Sequence, residues 1–266
     1  MSNAEHAAHF RRLHTQGVLR IANAWDAGSA RLIESLGAPA IATTSAGVAW
    51  SRGYADGDQL PVEQLFAVAA EIARVVRVPL SMDIEGGYSD DPDTVAGHVV
   101  RLAELGVVGI NLEDGAAEPQ LLAAKIARIK HALTARGLDV YVNARTDVYL
   151  RGLAPPERRV EAVLERATQY RDAGADGLFV PGLTEADAIR AIAGGTPLPL
   201  NVMLRPALPP IEELETLGVR RLSAGSDLAV AVFAPVGALA SAFLQDGRAG
   251  DAPRSNYGQI NALFKR

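Results

Sequence analysis

Short runs of Val, Ile, Leu and Ala recur along the chain between longer stretches in which apolar residues repeat every three to four positions. The short runs lack the alternation of a strand with one wet face, so they read as strands covered on both faces, as in parallel sheets. There are eight, at 18–22, 38–43, 79–83, 108–112, 140–144, 177–180, 198–202 and 220–223. The stretches of helical period lie near 27–36, 61–76, 93–105, 119–136, 156–173, 184–193, 211–217 and 226–245, so strand and helix alternate throughout. Four helix-to-strand joints share one form: Leu36-Gly37-Ala38, Leu105-Gly106-Val107, Ala173-Gly174-Ala175 and Leu217-Gly218-Val219. Glycine there supplies the left-handed residue that ends a helix just before the next strand. Eight such units predict an α/β fold, a (β/α)8 TIM-type barrel; an open doubly wound sheet would carry a Gly-rich phosphate fingerprint after its first strand, and this chain has none. A helix near 5–14 and another after Ser255 are additions to the barrel. With no Pro- or Ser-rich linker, 1–266 reads as a single domain.

Composition narrows the chemistry. Twenty-six basic against 31 acidic residues give a net charge of -5, the wrong sign for a nucleic-acid partner. The absence of Cys excludes disulfides, thiolate zinc sites, iron–sulfur clusters and a thiol nucleophile. The stretch Met1–Gln16 carries Glu5, His6, His9 and His14 in place of a basic segment followed by an apolar one, so it lacks the form of a signal peptide. The longest apolar stretch, 228–243, is interrupted by Pro235, Gly237 and Ser241 and falls short of the roughly 20 residues of a membrane span. A cytoplasmic protein without a membrane partner is expected. Lys125 and Lys130 fall on a predicted outer helix and Lys265 near the end of the chain, which disfavours a Schiff-base aldolase. The five His also fall in predicted helices, leaving no evident imidazole base.

In such a barrel chemistry gathers at the C-terminal ends of the strands. Those ends are polar: Asn23-Ala24-Trp25-Asp26, Thr43-Thr44-Ser45-Ala46-Gly47, Asp83-Ile84-Glu85, Asn111-Leu112-Glu113-Asp114, Asn143-Ala144-Arg145-Thr146-Asp147 and Asn201. Asp83 and Glu85 point to one side if their segment stays extended, and Glu113 comes from the neighbouring strand. Three carboxylates at one mouth share a proton, pair with Arg or cap helices, or hold a hard dication such as Mg²⁺; the last fits best. Arg145, the only cation among these strand ends, suits an anionic substrate or a developing enolate, with Asp147 or Asp114 able to hold it. The Thr44–Gly47 turn lets N–H groups and hydroxyls approach a carboxylate.

Taken in order, these segments resemble the isocitrate lyase/phosphoenolpyruvate mutase superfamily, whose members act at C–C or P–C bonds next to a 2-oxo acid. The resemblance rests on Ile21–Asp26, the Ser/Gly turn, Asp83-x-Glu85-Gly86-Gly87-Tyr88, Asn111–Asp114, Asn143–Asp147 and Asn201, and it covers most of the chain. It implies Mg²⁺, with Mn²⁺ as a substitute, held by Asp83, Glu85 and Glu113 partly through water. It implies substrate contacts from Trp25, Thr44, Ser45, Ala46, Gly47, Asp83, Arg145 and Asn201. Asp56 in the 53–57 loop aligns with an acidic residue near the metal, with Asp58 as a competitor for that role; Asp56, Tyr88 and Tyr54 are candidate proton donors. It also implies a homo-oligomer, dimer or tetramer, in which the C-terminal helix is exchanged between subunits. The Lys-x-Cys-Gly-His loop of the true lyases is missing, because Asp114 runs through Gly115-Ala116-Ala117-Glu118 into Pro119 and a helix, and Val180-Pro181-Gly182 lacks their Glu. The expected activity is Mg²⁺-dependent cleavage of a small 2-oxo acid or dicarboxylate through a metal-stabilised enolate, as in a decarboxylase, lyase or hydrolase. The alternative is a 2-oxo acid binding protein of the same fold that has lost catalysis.

Overall fold

The computed structural model describes residues 2–248, 250–251 and 253–265. Ser2 and Glu5 form a capping box that opens α1 (Asn3–Arg12). The chain then runs through β1 (Leu19–Ile21), β2 (Asn23–Ala24), α2 (Ala27–Ser35), β3 (Ile41–Thr43), α3 (Ser45–Ser51), α4 (Val62–Val75), β4 (Leu80–Asp83), α5 (Pro92–Glu104) and β5 (Val107–Glu113). It continues as α6 (Pro119–Thr134), β6 (Tyr141–Arg145), α7 (Arg159–Asp172), β7 (Gly177–Phe179), α8 (Ala186–Gly195), β8 (Leu200–Met203), α9 (Ile211–Thr216), β9 (Val219–Ser223), α10 (Asp227–Asp246) and α11 (Tyr257–Ala262).

All nine strands are parallel, in the order β1-β9-β8-β7-β6-β5-β4-β3-β2. Only Ala22 separates β1, which pairs with β9, from β2, which pairs with β3. They are therefore two halves of one bent strand that joins both edges, and the eight apolar runs of the sequence become the TIM-type barrel they predict. Each run is covered by helices outside and by its neighbours across the lumen.

Two elements depart from expectation. The Thr44–Gly47 turn is the cap and first turn of α3. Gly47 permits this close packing: a Cβ there would lie 2.8 Å from Trp25 Cβ and 3.1 Å from the Cβ of Ala229 in α10. The second is α10, which forms where its period predicts but runs unbroken for 20 residues with Pro235 inside it, so the apolar stretch reaches the length that its sequence reading put out of reach. One proline removes one helical hydrogen bond and leaves the remainder of the ladder in place. Among the described residues α10 is the one helix long and apolar enough to cross a membrane by length and composition, with a mean hydropathy of 1.9. Phe233, Val236, Phe243 and Leu244 stand exposed on it.

The lumen is unusually polar for a barrel whose interior is ordinarily filled with branched apolar side chains. Asn143 Nδ2 donates to Asn111 Oδ1 (2.9 Å) and to Asn201 Oδ1 (3.0 Å). Below them Arg221 is buried, its Nε and Nη1 without hydrogen-bond partners among the described residues, and burial pushes its pKa down to about 10. Helix α1 closes this floor through Phe10 and is anchored by Arg11 to Asp139 and Asp176, each at 2.6 Å. Just beyond α1, His14 stacks on Tyr141 with ring centroids 4.3 Å apart.

Burial, reinforced by the nearby Arg221 charge, pushes the His14 imidazole down to about 3. A depressed base contributes stability that is complete above its ordinary pKa, near 6.5, and is lost as pH falls towards 3, because the unfolded chain takes up the proton first. The urea midpoint of the native chain should therefore fall between pH 6.5 and 3, and His14→Phe should flatten that fall; an unchanged slope in the variant would refute this origin.

Candidate active site

The C-terminal ends of the strands surround a cavity of about 160 Å³. Asn23, Asp83, Asn111 and Arg145 reach it from β2, β4, β5 and β6, and Thr44, Ser45 and Ala46 from the start of α3. The first turn of a helix leaves N–H groups without intrahelical partners, so this segment can receive an anion. Asp56 enters from the loop before α4.

Asp83 is the acidic centre. Its backbone N–H donates to Thr43 Oγ1 (2.9 Å), which pins the end of β4 to β3, while its carboxylate accepts from the Glu85 N–H (3.2 Å) and from Asn111 Nδ2 (3.4 Å). Burial pushes its pKa up, with Arg145 acting in the opposite direction.

Glu85 does not follow Asp83 into the cavity, because the backbone leaves the extended conformation after β4. At Glu85 φ is +51°, so the side chain swings away from the side that Asp83 faces. Its Oε2 accepts from the N–H groups of Gly57 (2.7 Å) and Asp58 (2.5 Å), and its Oε1 from the Tyr88 hydroxyl (3.0 Å). Asp58 and Tyr88 are the other two non-glycine residues with left-handed backbones among the described residues, at φ +56° and +61°, and the Tyr88 N–H donates back to Asp58 Oδ1 (3.3 Å). Such conformations cost on the order of 1–3 kcal/mol each and collect where surrounding structure holds them for a purpose. Burial pushes Glu85 up to about 7, reinforced by the charges of Asp56, Asp58 and Asp83.

Arg145 is enclosed by acids. Its Nη1 lies 2.6 Å from Glu113 Oε2 and its Nε 2.7 Å from Asp147 Oδ1, with Nη2 donating to Asp147 Oδ2 (3.1 Å). Asp147 is the ion-pair partner; Asp114 instead receives Arg166, the Tyr170 hydroxyl and the Asp147 N–H. Burial pushes Glu113 up to about 8 against the pull of Arg145, and the charges of Asp83, Asp147 and Glu85 raise it further.

Behind the Glu113–Arg145 pair lies a second cavity of about 430 Å³, lined by Glu113, Glu85, Tyr88, Asp58 and Lys125. Lys125 is on an outer helix, as its period predicts, yet its side chain is buried and Nζ donates to the Gly86 carbonyl (2.8 Å). A lysine therefore stands beside the mouth, contrary to the expectation from its position in the sequence, because α6 packs its first turns against the β4–α5 loop.

Thr44, Ser45, Ala46, Asp56, Asp83 and Arg145 thus meet in the smaller cavity. Gly47 and Trp25 pack together behind it, Asn201 is buried beneath it, and Glu85, Glu113 and Tyr88 line the larger one. Tyr54 borders a separate apolar hollow with Trp50 and Phe233. The Tyr88 hydroxyl donates to Glu85, and burial with that neighbouring charge raises its pKa, which makes it a poor proton donor. Among the described residues no three acidic or imidazole groups lie close enough to ligate one ion directly, so the expected three-carboxylate clasp is not formed. The donor chemistry nevertheless fits a hard dication: oxygen ligands alone, with Glu85 and Glu113 lifted by burial and mutual repulsion and a single guanidinium between two acids. Asp83 would hold such an ion, with Asp56 facing the same cavity, while Glu85 and Glu113 line the neighbouring one. Sequence reasoning named Asn23 among the polar strand ends but missed Arg205, Ser223 and Ser226 as cavity residues. Ser223 ends the last strand and Ser226 caps α10, an end that the polar-end reading passed over, and Arg205 lies beyond the apolar run that carries Asn201.

The family model for phosphoenolpyruvate phosphomutase matches residues 10–244. The uncharacterized protein Rv1998c of Mycobacterium tuberculosis is 43% identical over 223 residues, covering 82% of this chain and 81% of that one. An oxaloacetate decarboxylase of Bradyrhizobium sp. is 32% identical, covering 72% and 66%. Among solved structures, a Burkholderia cenocepacia J2315 protein provisionally assigned as a phosphonomutase superposes with a TM-score of 0.84 at 39% identity, covering 89% of this chain and 99% of that one.

Because Gly47 fits only without a side chain, Gly47→Ala should cost about 1–3 kcal/mol in urea unfolding through overpacking. A variant as stable as the native chain would show that α10 moves aside freely.

Proposed function

The chain belongs to the phosphoenolpyruvate phosphomutase family, within the isocitrate lyase/phosphoenolpyruvate mutase superfamily, and from that premise we propose that the smaller cavity binds a 2-oxo acid and cleaves the bond next to its oxo-bearing segment. The observation that carries this reading is the meeting of Asp83, Arg145 and the start of α3 around one cavity of about 160 Å³, a volume suited to a molecule of a few heavy atoms.

The N–H groups and hydroxyls from Thr44 to Gly47 receive the 1-carboxylate. Asp83 and the acids around it hold Mg²⁺, or Mn²⁺ in its place; when bound, the ion supplies Lewis-acid polarisation to the oxo group. Arg145, fixed by Asp147 and Glu113, presents its remaining N–H groups where negative charge develops on that oxygen. Decarboxylation of an oxaloacetate-like acid asks least of a proton donor. The C–C bond breaks, CO₂ departs, the electron pair passes into an enolate, and water or Asp56 returns a proton to the carbon. The similarity to an oxaloacetate decarboxylase supports this reaction over other cleavages. The short Asp114–Glu118 connection, which brings no Lys, Cys or His of its own over the cavity, favours as second reading a 2-oxo acid binding protein without turnover. The exposed apolar face of α10 supports assembly with further copies of the chain, dimer or tetramer, by exchange of that helix.

With Mg²⁺, purified protein should release CO₂ from oxaloacetate, and Asp83→Ala and Arg145→Ala should each lower kcat by about 10²–10³-fold. Binding without product in the native chain would select the second reading, and full activity in both variants would refute these roles. The metal should also report on the acids: burial raises Glu85 to about 7 and Glu113 to about 8, so both gain charge between pH 5 and pH 8 and Mg²⁺ should raise Tm more at pH 8 than at pH 5. Equal shifts at the two pH values would exclude the two glutamates from its environment.

A further inference from the structure

Charge around the small cavity is unevenly assigned. Arg145 faces it, but its guanidinium is bound to Glu113 and Asp147, and Asp147 also pairs with Arg151 (2.9 Å), so the Arg145 charge is already engaged within its own cluster. Arg205 lines the same cavity and, among the described residues, its guanidinium makes no ion pair and no side-chain hydrogen bond. It is therefore the cation there whose charge is uncommitted.

Its backbone is held in place. The Leu204 N–H donates to the Ser223 carbonyl (2.8 Å) and the Leu208 N–H to the Arg205 carbonyl (3.0 Å), while Pro206 keeps Arg205 from a helical conformation. Arg205 is exposed to solvent at the rim, and Met203, Leu150 and Phe179 form the apolar part of the wall beside it. Ser226, also on the wall, caps the 20-residue helix α10 without using its side chain for that purpose, so its hydroxyl is available to an anion. The 1-carboxylate segment at α3 and Arg205 thus come to one small cavity from different strand ends, β3 and β8.

We propose that Arg205 is a specificity-determining residue that binds a second carboxylate of the substrate, making the site selective for 2-oxo dicarboxylates over 2-oxo monocarboxylates. This rests on reading the cavity as a 2-oxo acid site. It adds a consequence for the reaction. A guanidinium paired with a carboxylate in the ground state stabilises bound substrate at least as well as the transition state in which that carboxylate is lost as CO₂. Arg205 therefore contributes binding, and its removal raises KM without lowering kcat.

The test measures oxaloacetate and pyruvate affinity by calorimetry with Mg²⁺ present, in the native chain, Arg205→Met and Arg205→Lys, together with KM and kcat for oxaloacetate. The native chain should prefer oxaloacetate. Arg205→Met should weaken oxaloacetate by about 10- to 100-fold, the usual worth of a charged hydrogen bond, and leave pyruvate within about twofold. Arg205→Lys should recover part of the loss, and kcat should hold where turnover is seen. Equal weakening of both acids, or an unchanged preference in Arg205→Met, would overturn the assignment and leave the 2-oxo acid reading intact. A native chain that binds neither acid would overturn that reading and this one with it.

Discussion

Arg145 sits between Glu113 at 2.6 Å and Asp147 at 2.7 Å, and this pairing governs how charge is distributed over the whole mouth of the barrel. Asp147 is itself held by its N–H to Asp114, which receives Arg166 and Tyr170 from α7, so the guanidinium is positioned from outside the barrel inward. Taking a guanidinium out of water is costly, and the two acids offset that cost for Arg145. The cost of that stability is that Arg145 has little net charge left to offer to anything else at the mouth.

The acids that remain are in excess. Glu85 is consumed by the loop 57–58 and by Tyr88, which makes it the pin that holds the Asp58 loop against the end of β4. Left-handed backbones at Asp58, Glu85 and Tyr88 are strained alone and sustained together, each held by a hydrogen bond to another of the three. Their effect is to divide the mouth into two cavities, one facing Asp83 and Asp56 and the other facing Glu113 and Lys125.

Beneath the mouth the lumen is polar where branched apolar residues would ordinarily fill it. Asn111 links the two levels, accepting from Asn143 and donating to Asp83, so the orientation of the Asp83 carboxylate depends on an amide ladder that continues to Asn201 and the floor. Helix α1 keeps water from that floor by placing Phe10 and the following His14 against Tyr141. An element added before the barrel thus bears on the geometry of a site at its opposite end.

The barrel was legible because its signals are local. Apolar runs that need cover on both faces, helical periods and Gly at the helix ends each act within a few residues, and together they determined eight strands and the helices between them. The same locality exposed the polar strand ends and put Asp83, Arg145 and Thr44–Ala46 at one mouth. What only the tertiary structure decided was direction and partnership. Backbone strain at Glu85 turned it from the cavity, two acids claimed Arg145, and helix packing buried Lys125 at Gly86. It also decided that Arg205, two residues past its strand, lines the same space as Asp83. A side chain's residue type and period follow from its neighbours in sequence, whereas the charge it meets comes from chain segments tens of residues away, brought close only when the barrel closes.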